Sequence, residues 1–186
     1  DAFTTTVVEA GTGTSELTGS QTAGTVAKMV AAADEDDGIQ VQTRSEEFEF
    51  TSNQSMIYFG IQVAPNDADQ SDWLAGLCIT DTTLLGGMTD GVYFESLDGA
   101  ATLSSVTEKD STETQTDSLA TAADDTFMFL EFYFDGTSVY FYTDGTLSST
   151  LHTTNIPDDE VLAVSLAFLT GEAVANTLSI RRWNVF

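Results

Sequence analysis

The side chains that could do chemistry are many in number but few in kind, and most are acids. The stretch LEFYFDGTSVYFYTDGTL, residues 130–147, repeats an Asp-Gly pair at Asp135-Gly136 and Asp144-Gly145. Such pairs can hold a metal or a sugar. They also make hairpin corners, where positive φ angles favour Asp-Gly. The corner reading accounts for both pairs without a ligand. Asp67, Asp69 and Asp72 have the opening spacing of an oxygen cage. An EF-hand needs glycine sixth and glutamate twelfth. Counted from Asp67, those positions hold Asp72 and Cys78, so the motif fails. These three acids are the metal candidates, calcium is the ion they would take, and the expectation is that no cofactor is needed.

Other chemistries fare no better. Glu47 and Glu49 are the best pair for two-carboxylate glycoside hydrolysis. They alternate with Phe48 and Phe50, as a solvated strand face does, and no third acid follows at a useful spacing. His152 is the sole histidine; it sits among threonines, with no Gly-x-Ser-x-Gly elbow in the chain. It reads as a surface residue rather than a base. Cys78 is alone, which excludes an intrachain disulfide and a cysteine zinc site. The apolar stretch Trp73–Ile79 around it predicts a buried structural thiol. Gly11-Thr12-Gly13 lacks the lysine of a phosphate loop. The sequon Asn53-Gln54-Ser55 matters only on a secretory route. The chain is therefore expected not to be an enzyme.

The elements that would position these residues are strands. Ile39 and Val41 alternate with Gln40 and Gln42, and Phe48 and Phe50 with Glu47 and Glu49. Longer runs follow at 56–64, 73–80, 91–95, 103–106, 127–134, 139–143, 161–169 and 177–185, separated by Gly, Asp, Asn, Ser and Thr. The alanine-rich run 26–34 reads as a further strand. Phe3, Val7 and Val8 suggest a first strand within a polar arm, 1–25. Residues 107–126 read as a strand end followed by an exposed acidic loop. Many short strands at this spacing predict an all-β sandwich or barrel, with 1–186 a single domain.

Parity sharpens that picture around the Asp-Gly pairs. A two-residue turn at Asp135-Gly136 sets Phe132 opposite Val139 and Leu130 opposite Phe141; a four-residue loop shifts the pairing but keeps the faces. Either way Met128, Leu130, Phe132, Phe134, Val139 and Phe141 share one face, the core face. Each such side chain contributes roughly 1.5–3 kcal/mol on burial. A two-residue second turn would put Leu147 opposite Tyr142, off the core. The other face carries Phe129, Glu131, Tyr133, Tyr140 and Tyr142, where polar residues are usual. Phe129, Tyr133, Tyr140 and Tyr142 are thus candidates for contact with a protein or a sugar ring.

Thirty acids against five bases leave a formal charge of −25. Such a surface repels phosphate and anionic lipid, so nucleic-acid and membrane partners are not expected. The apolar runs are of strand length, well short of the ~20 residues of a spanning helix.

The segments Ser71-Asp72-Trp73-Leu74-Ala75-Gly76-Leu77, Asp90-Gly91-Val92-Tyr93-Phe94, 130–136, 139–145, Asn155-Ile156-Pro157-Asp158-Asp159-Glu160 and Leu178-Ser179-Ile180-Arg181-Arg182-Trp183 occur in that order. Over roughly residues 24–186 the chain resembles the concanavalin A-like (lectin/laminin-G type) jelly rolls of structural proteins in tailed bacteriophages. The resemblance implies two antiparallel sheets of about six or seven strands each, with first and last strands paired. It implies a non-enzymatic virion component, a head decoration or cement subunit made in the host cytoplasm. Its partners would be capsid or other virion proteins, or copies of itself. The alternative is a carbohydrate-binding, lectin-like module on a virion fibre or a secreted protein. That alternative expects coplanar exposed aromatics and a calcium site near Asp67–Asp72.

Overall fold

The computed structural model describes residues 2–9, 11, 13–19, 27–52, 56–148 and 150–186. The sequon and residues 20–26 lie outside them. In chain order the strands are β1 (Phe3–Val8), β2 (Glu16–Thr18), β3 (Ala27–Val30), β4 (Gly38–Thr43), β5 (Phe48–Glu49), β6 (Ile57–Pro65), β7 (Ser71–Cys78) and β8 (Gly91–Ser96). They continue with β9 (Thr102–Lys109), β10 (Thr112–Thr121), β11 (Met128–Phe134), β12 (Val139–Thr143), β13 (Thr146–Leu147), β14 (Val161–Thr170) and β15 (Thr177–Val185). Every pairing among them is antiparallel. Sheet one runs β1-β4-β14-β7-β8-β9-β10, with β5 also on β14; sheet two runs β13-β12-β11-β6-β15-β3-β2.

The core is the alternation read from the sequence. Phe134 pairs with Val139, and Phe132 with Phe141, across a four-residue loop. Met128, Leu130, Phe132, Phe134, Val139 and Phe141 all face inward and are buried. They meet Trp73, Phe94 and Leu103 of sheet one. Phe132 stacks on Phe59 at 5.0 Å, and Phe141 meets Phe94 edge-on at 5.2 Å.

Both Asp-Gly pairs are corners. Asp135 Oδ1 accepts from the amides of Thr137 and Ser138, while Gly136 takes φ 95°. Asp144 and Gly145 both have positive φ, in the two-residue turn that sets Leu147 opposite Tyr142.

Three expectations are corrected. Residues 112–121 are a strand, not a loop: β10 pairs with β9 through a tight turn at Asp110-Ser111, both at positive φ. It is polar because it is an edge strand, where threonine suits the pleat and no partner demands an apolar side chain. His152 is not a surface residue; it is fully buried, packed against Phe141. The first and last strands do not pair. β1 lies on β4 in sheet one, while β15 sits between β6 and β3 in sheet two, where Met29 of β3 joins the core. Phe3 and Trp183 touch across the sheets at 5.1 Å.

Candidate functional site

Sheet one is buried on both faces over part of its area. Trp73, Ala75 and Leu77 of β7 face the core, while Leu74 and Cys78 face outward and are still buried. Their cover is the segment 79–90, which holds one short turn at Leu84–Gly87. Leu84 and Met88 pack on Leu74, Cys78 and Tyr93. Two glutamines pin this flap. Gln42 Oε1 accepts from the Asp81 amide at 3.0 Å, and Gln40 Oε1 from the Leu84 amide at 2.6 Å. These are the polar residues that alternate with Ile39 and Val41; the flap buries them. At its far end the Asp90 carboxylate accepts from the Asp110 amide at 3.1 Å, joining the flap to the β9–β10 turn.

Beside the flap a groove of about 620 Å³ opens over β7, β8, β9 and β10. Alternation builds its floor. Tyr93 and Glu95 project from β8, Glu108 from β9, and Glu113 and Gln115 from β10. Register aligns them: Tyr93 opposes Val106, which opposes Gln115, and Gly91 opposes Glu108, which opposes Glu113. Asp72 and Asp36 close one end, and Leu84, Leu85 and Met88 form the apolar lip. Among the described residues no lysine, arginine or histidine lines it.

Electrostatics follow from that crowding. Glu95 is pushed up to about 7, first by burial and then by the nearby carboxylates of Glu113, Glu108, Asp117 and Asp72. Glu108 is 5% exposed and is also raised by burial, against the bond it accepts from the Tyr93 hydroxyl at 3.1 Å. Burial likewise raises Asp72, although its Oδ1 accepts from the Asp98 amide at 2.7 Å. The Tyr93 hydroxyl is pushed up by burial and by Glu108. At neutral pH the groove thus presents acceptors together with a partly protonated Glu95 that can donate.

The outer face of sheet two is different. Phe129, Tyr133, Tyr140 and Tyr142 do share it, each half-buried. Tyr133 and Tyr140 oppose each other with rings 6.2 Å apart and tilted by 39°, so they are not a coplanar platform. The Tyr140 hydroxyl donates to Asp135 Oδ2 at 3.0 Å. Next to them Tyr58 donates to Glu131 Oε1 at 2.6 Å and stacks on Phe186. The Arg182 guanidinium lies 6.0 Å from the Phe129 ring centre.

Asp67, Asp69 and Asp72 are not brought together. Asp67 Oδ1 accepts from the Gln70 amide, Asp69 is exposed, and Asp72 turns to the groove. No group of three or more His, Cys, Asp or Glu among the described residues could hold a metal ion. Glu47 and Glu49 lie at the short strand β5, away from the groove. Cys78 is buried, and burial lifts its thiol well above the usual range.

No protein-family profile matches this chain, and no curated protein sequence does. Solved structures do match in shape. The carbohydrate recognition domain of Emp46p, in its potassium-bound form, superposes with a TM-score of 0.69 at 8% identity, over 100% of this chain and 88% of that one. The fold is a concanavalin A-like jelly roll. The alginate lyase from Corynebacterium sp. gives 0.60 at 13% identity, covering 91% of this chain and 80% of its own. The endo-β-1,4-glucuronan lyase from the fungus Trichoderma reesei gives 0.59 at 10%, covering 96% and 89%. This jelly roll is thus shared by recognition domains and by enzymes, and the Emp46p domain also matches in a metal-free form.

Proposed function

We propose that this chain is a lectin-like, carbohydrate-binding jelly roll that holds a neutral saccharide in the groove over β7–β10. One observation carries the reading: a groove of about 620 Å³ on a sheet face, floored by hydrogen-bonding carboxylates, Gln115 and a tyrosine, with an apolar lip. Sugar hydroxyls are donors, and Glu108 and Glu113 are acceptors to meet them. The recognition domains and polysaccharide lyases of the same fold support a saccharide as the ligand. The groove's own lining argues against a uronate polymer here. Several carboxylates and no cation among the described lining residues would repel a polyanion, and the chain carries −25 overall.

The test is calorimetric titration with neutral oligosaccharides and with oligouronates of matched length. Neutral ligands are expected to bind, uronates not, and Glu113→Lys to weaken the neutral ligand at least tenfold. Binding of uronates alone would overturn the reading. Turnover of a neutral ligand, abolished by Glu95→Gln, would reassign the groove as a glycosidase site with Glu95 as its acid.

A second reading concerns where the domain is carried rather than what the groove holds. Phe129, Tyr133, Tyr140 and Tyr142, extended by the exposed Met56 and Phe186, form an aromatic face suited to docking on a virion protein. Many copies of the chain in purified particles would support a head decoration, and one or a few copies would point to a fibre.

A further inference from the structure

His152 stands outside both faces. Its backbone bridges to β12 in both directions: Val139 N–H donates to His152 O at 2.9 Å, and His152 N–H to Val139 O at 3.0 Å. Its ring lies inside the sandwich, 0% exposed, with Nδ1 3.1 Å from Thr107 Oγ1 of β9 and Nε2 3.0 Å from Thr116 Oγ1 of β10. The tautomer follows from proton counting. Thr107 has one hydroxyl hydrogen, and it goes to the Thr154 carbonyl at 3.0 Å. Thr107 can therefore only accept from the ring, so Nδ1 carries the hydrogen. Nε2 is bare and accepts from the Thr116 hydroxyl.

One neutral imidazole thus joins the strap at 150–156 to β9, β10 and β12. Two further bonds, from Asn155 Nδ2 to Thr114 Oγ1 at 3.0 Å and between the Thr114 and Thr154 hydroxyls at 2.7 Å, tie the same strap to β10. β10 needs such ties. It is an edge strand, paired on one side only and bulged near Ser118, which takes φ 55°. Its other face supplies Glu113 and Gln115 to the groove.

We propose that His152 is an acid-sensitive latch: protonating its ring frees the 150–156 strap and β10, and so loosens one wall of the groove. That this loosening regulates ligand holding rests on the saccharide reading of the groove; the latch itself does not.

The new proton must go to Nε2, which faces a hydroxyl that now donates to it. Thr116 must turn its hydrogen away, and the cation gains no counter-charge. β9 presents Thr107, β10 presents Thr116, β12 presents Val139 and Phe141, and the strap presents Thr154; none of these titrates. Glu108, Glu113 and Asp117 stand at the alternate positions, on the groove face, and Lys109 is paired with Asp158 and with Asp159 at 3.1 Å. Burial alone lowers the ring to about 4 from the ordinary 6.5. The opened strap binds a proton near 6.5 and the closed one only near 4. Opening is therefore favoured progressively as pH falls through that window.

The test follows amide hydrogen exchange, corrected for intrinsic rate, at pH steps from 7 to 4 in the intact chain. Protection at 150–156 and 112–121 is expected to fall by on the order of a hundredfold, while β6 and β11 hold. In His152→Gln, which keeps a neutral donor and acceptor, that selective loss is expected to vanish. An identical pH profile in His152→Gln would overturn the latch. If that variant does not fold, the imidazole resonances of the unaltered protein decide: titration well below 6.5 together with strap opening supports the latch, and titration near 6.5 with the strap closed overturns it. Saccharide titrations on the same samples keep the two ideas apart. Strap opening with no ligand bound at any pH leaves the latch standing and removes the groove reading. Undiminished binding with the strap open removes the regulatory role.

Discussion

The two outer faces of this sandwich share one strand period and opposite chemistries. On sheet one, Glu95, Glu108 and Asp72 are crowded together beside a flap, and burial holds all three above the usual carboxylate range. On sheet two the acids are spaced among tyrosines that donate to them. Asp135 is held below its usual range by the Ser138 and Thr137 amides, and Tyr58 is pushed up to about 12 by burial and by Glu131. Acids crowded with acids make a site poised to exchange a proton or accept a hydroxyl. Acids partnered by donors make a fixed surface. Neighbours, not residue type, decide which.

Glycines give the largest way to break that comparison. A Cβ at Gly76, on the groove face, would lie 2.3 Å from the Val92 carbonyl oxygen and 2.6 Å from Tyr93 Cα, both backbone atoms that cannot step aside. Gly76→Ala is expected to cost about 3 kcal/mol in urea unfolding. A Cβ at Gly60, on the aromatic face, would meet the Tyr58 hydroxyl at 2.6 Å, the movable end of a side chain. Gly60→Ala is expected to cost under about 1 kcal/mol. Equal costs would mean that the faces are not packed as described.

Charge gives the next effect. The folded state binds the Glu95 proton more tightly than the unfolded chain does, from about 7 against 4.5. Its ionisation therefore removes stability as pH rises from 4.5 through 7. Glu95→Gln is expected to stabilise by on the order of 2 kcal/mol at pH 8 and by almost nothing at pH 4. A variant less stable than the parent at pH 8 would contradict the crowded-acid account. The opposite sign is expected at Tyr58, where the hydrogen bond is favourable: Tyr58→Phe should lose about 1 kcal/mol at neutral pH. Tyr140→Phe, whose bond to Asp135 is exposed, should lose less than Tyr58→Phe.

Much of the fold was legible because the inner faces alternate strictly. The parity of Met128–Phe134 with Val139 and Phe141 survives any even-length loop, so the faces were readable although the two-residue register was not. Both Asp-Gly corners were readable from turn chemistry alone. The groove was not. Glu95, Glu108 and Glu113 come from three strands, and only the β8–β9–β10 register brings them together. The signal that could have found them is local: Tyr93 and Glu95 alternate with Val92 and Phe94, and Glu108 and Glu113 flank the tight turn at Asp110-Ser111. That turn was hidden because its residues, unlike Asp-Gly, carry no glycine. His152 was misread because its burial depends on Thr107 and Thr116, remote in sequence and adjacent in space. Nothing local marks Gln40 and Gln42 as buried, because the flap that covers them lies forty residues on.

The central claim, that the groove and not the aromatic face receives a saccharide, is tested most directly by backbone chemical-shift mapping with a neutral oligosaccharide. Perturbations at Tyr93, Glu95, Glu113 and Gln115, with Tyr58, Tyr133 and Tyr140 silent, are the expected result. Perturbations confined to the tyrosine face would contradict it.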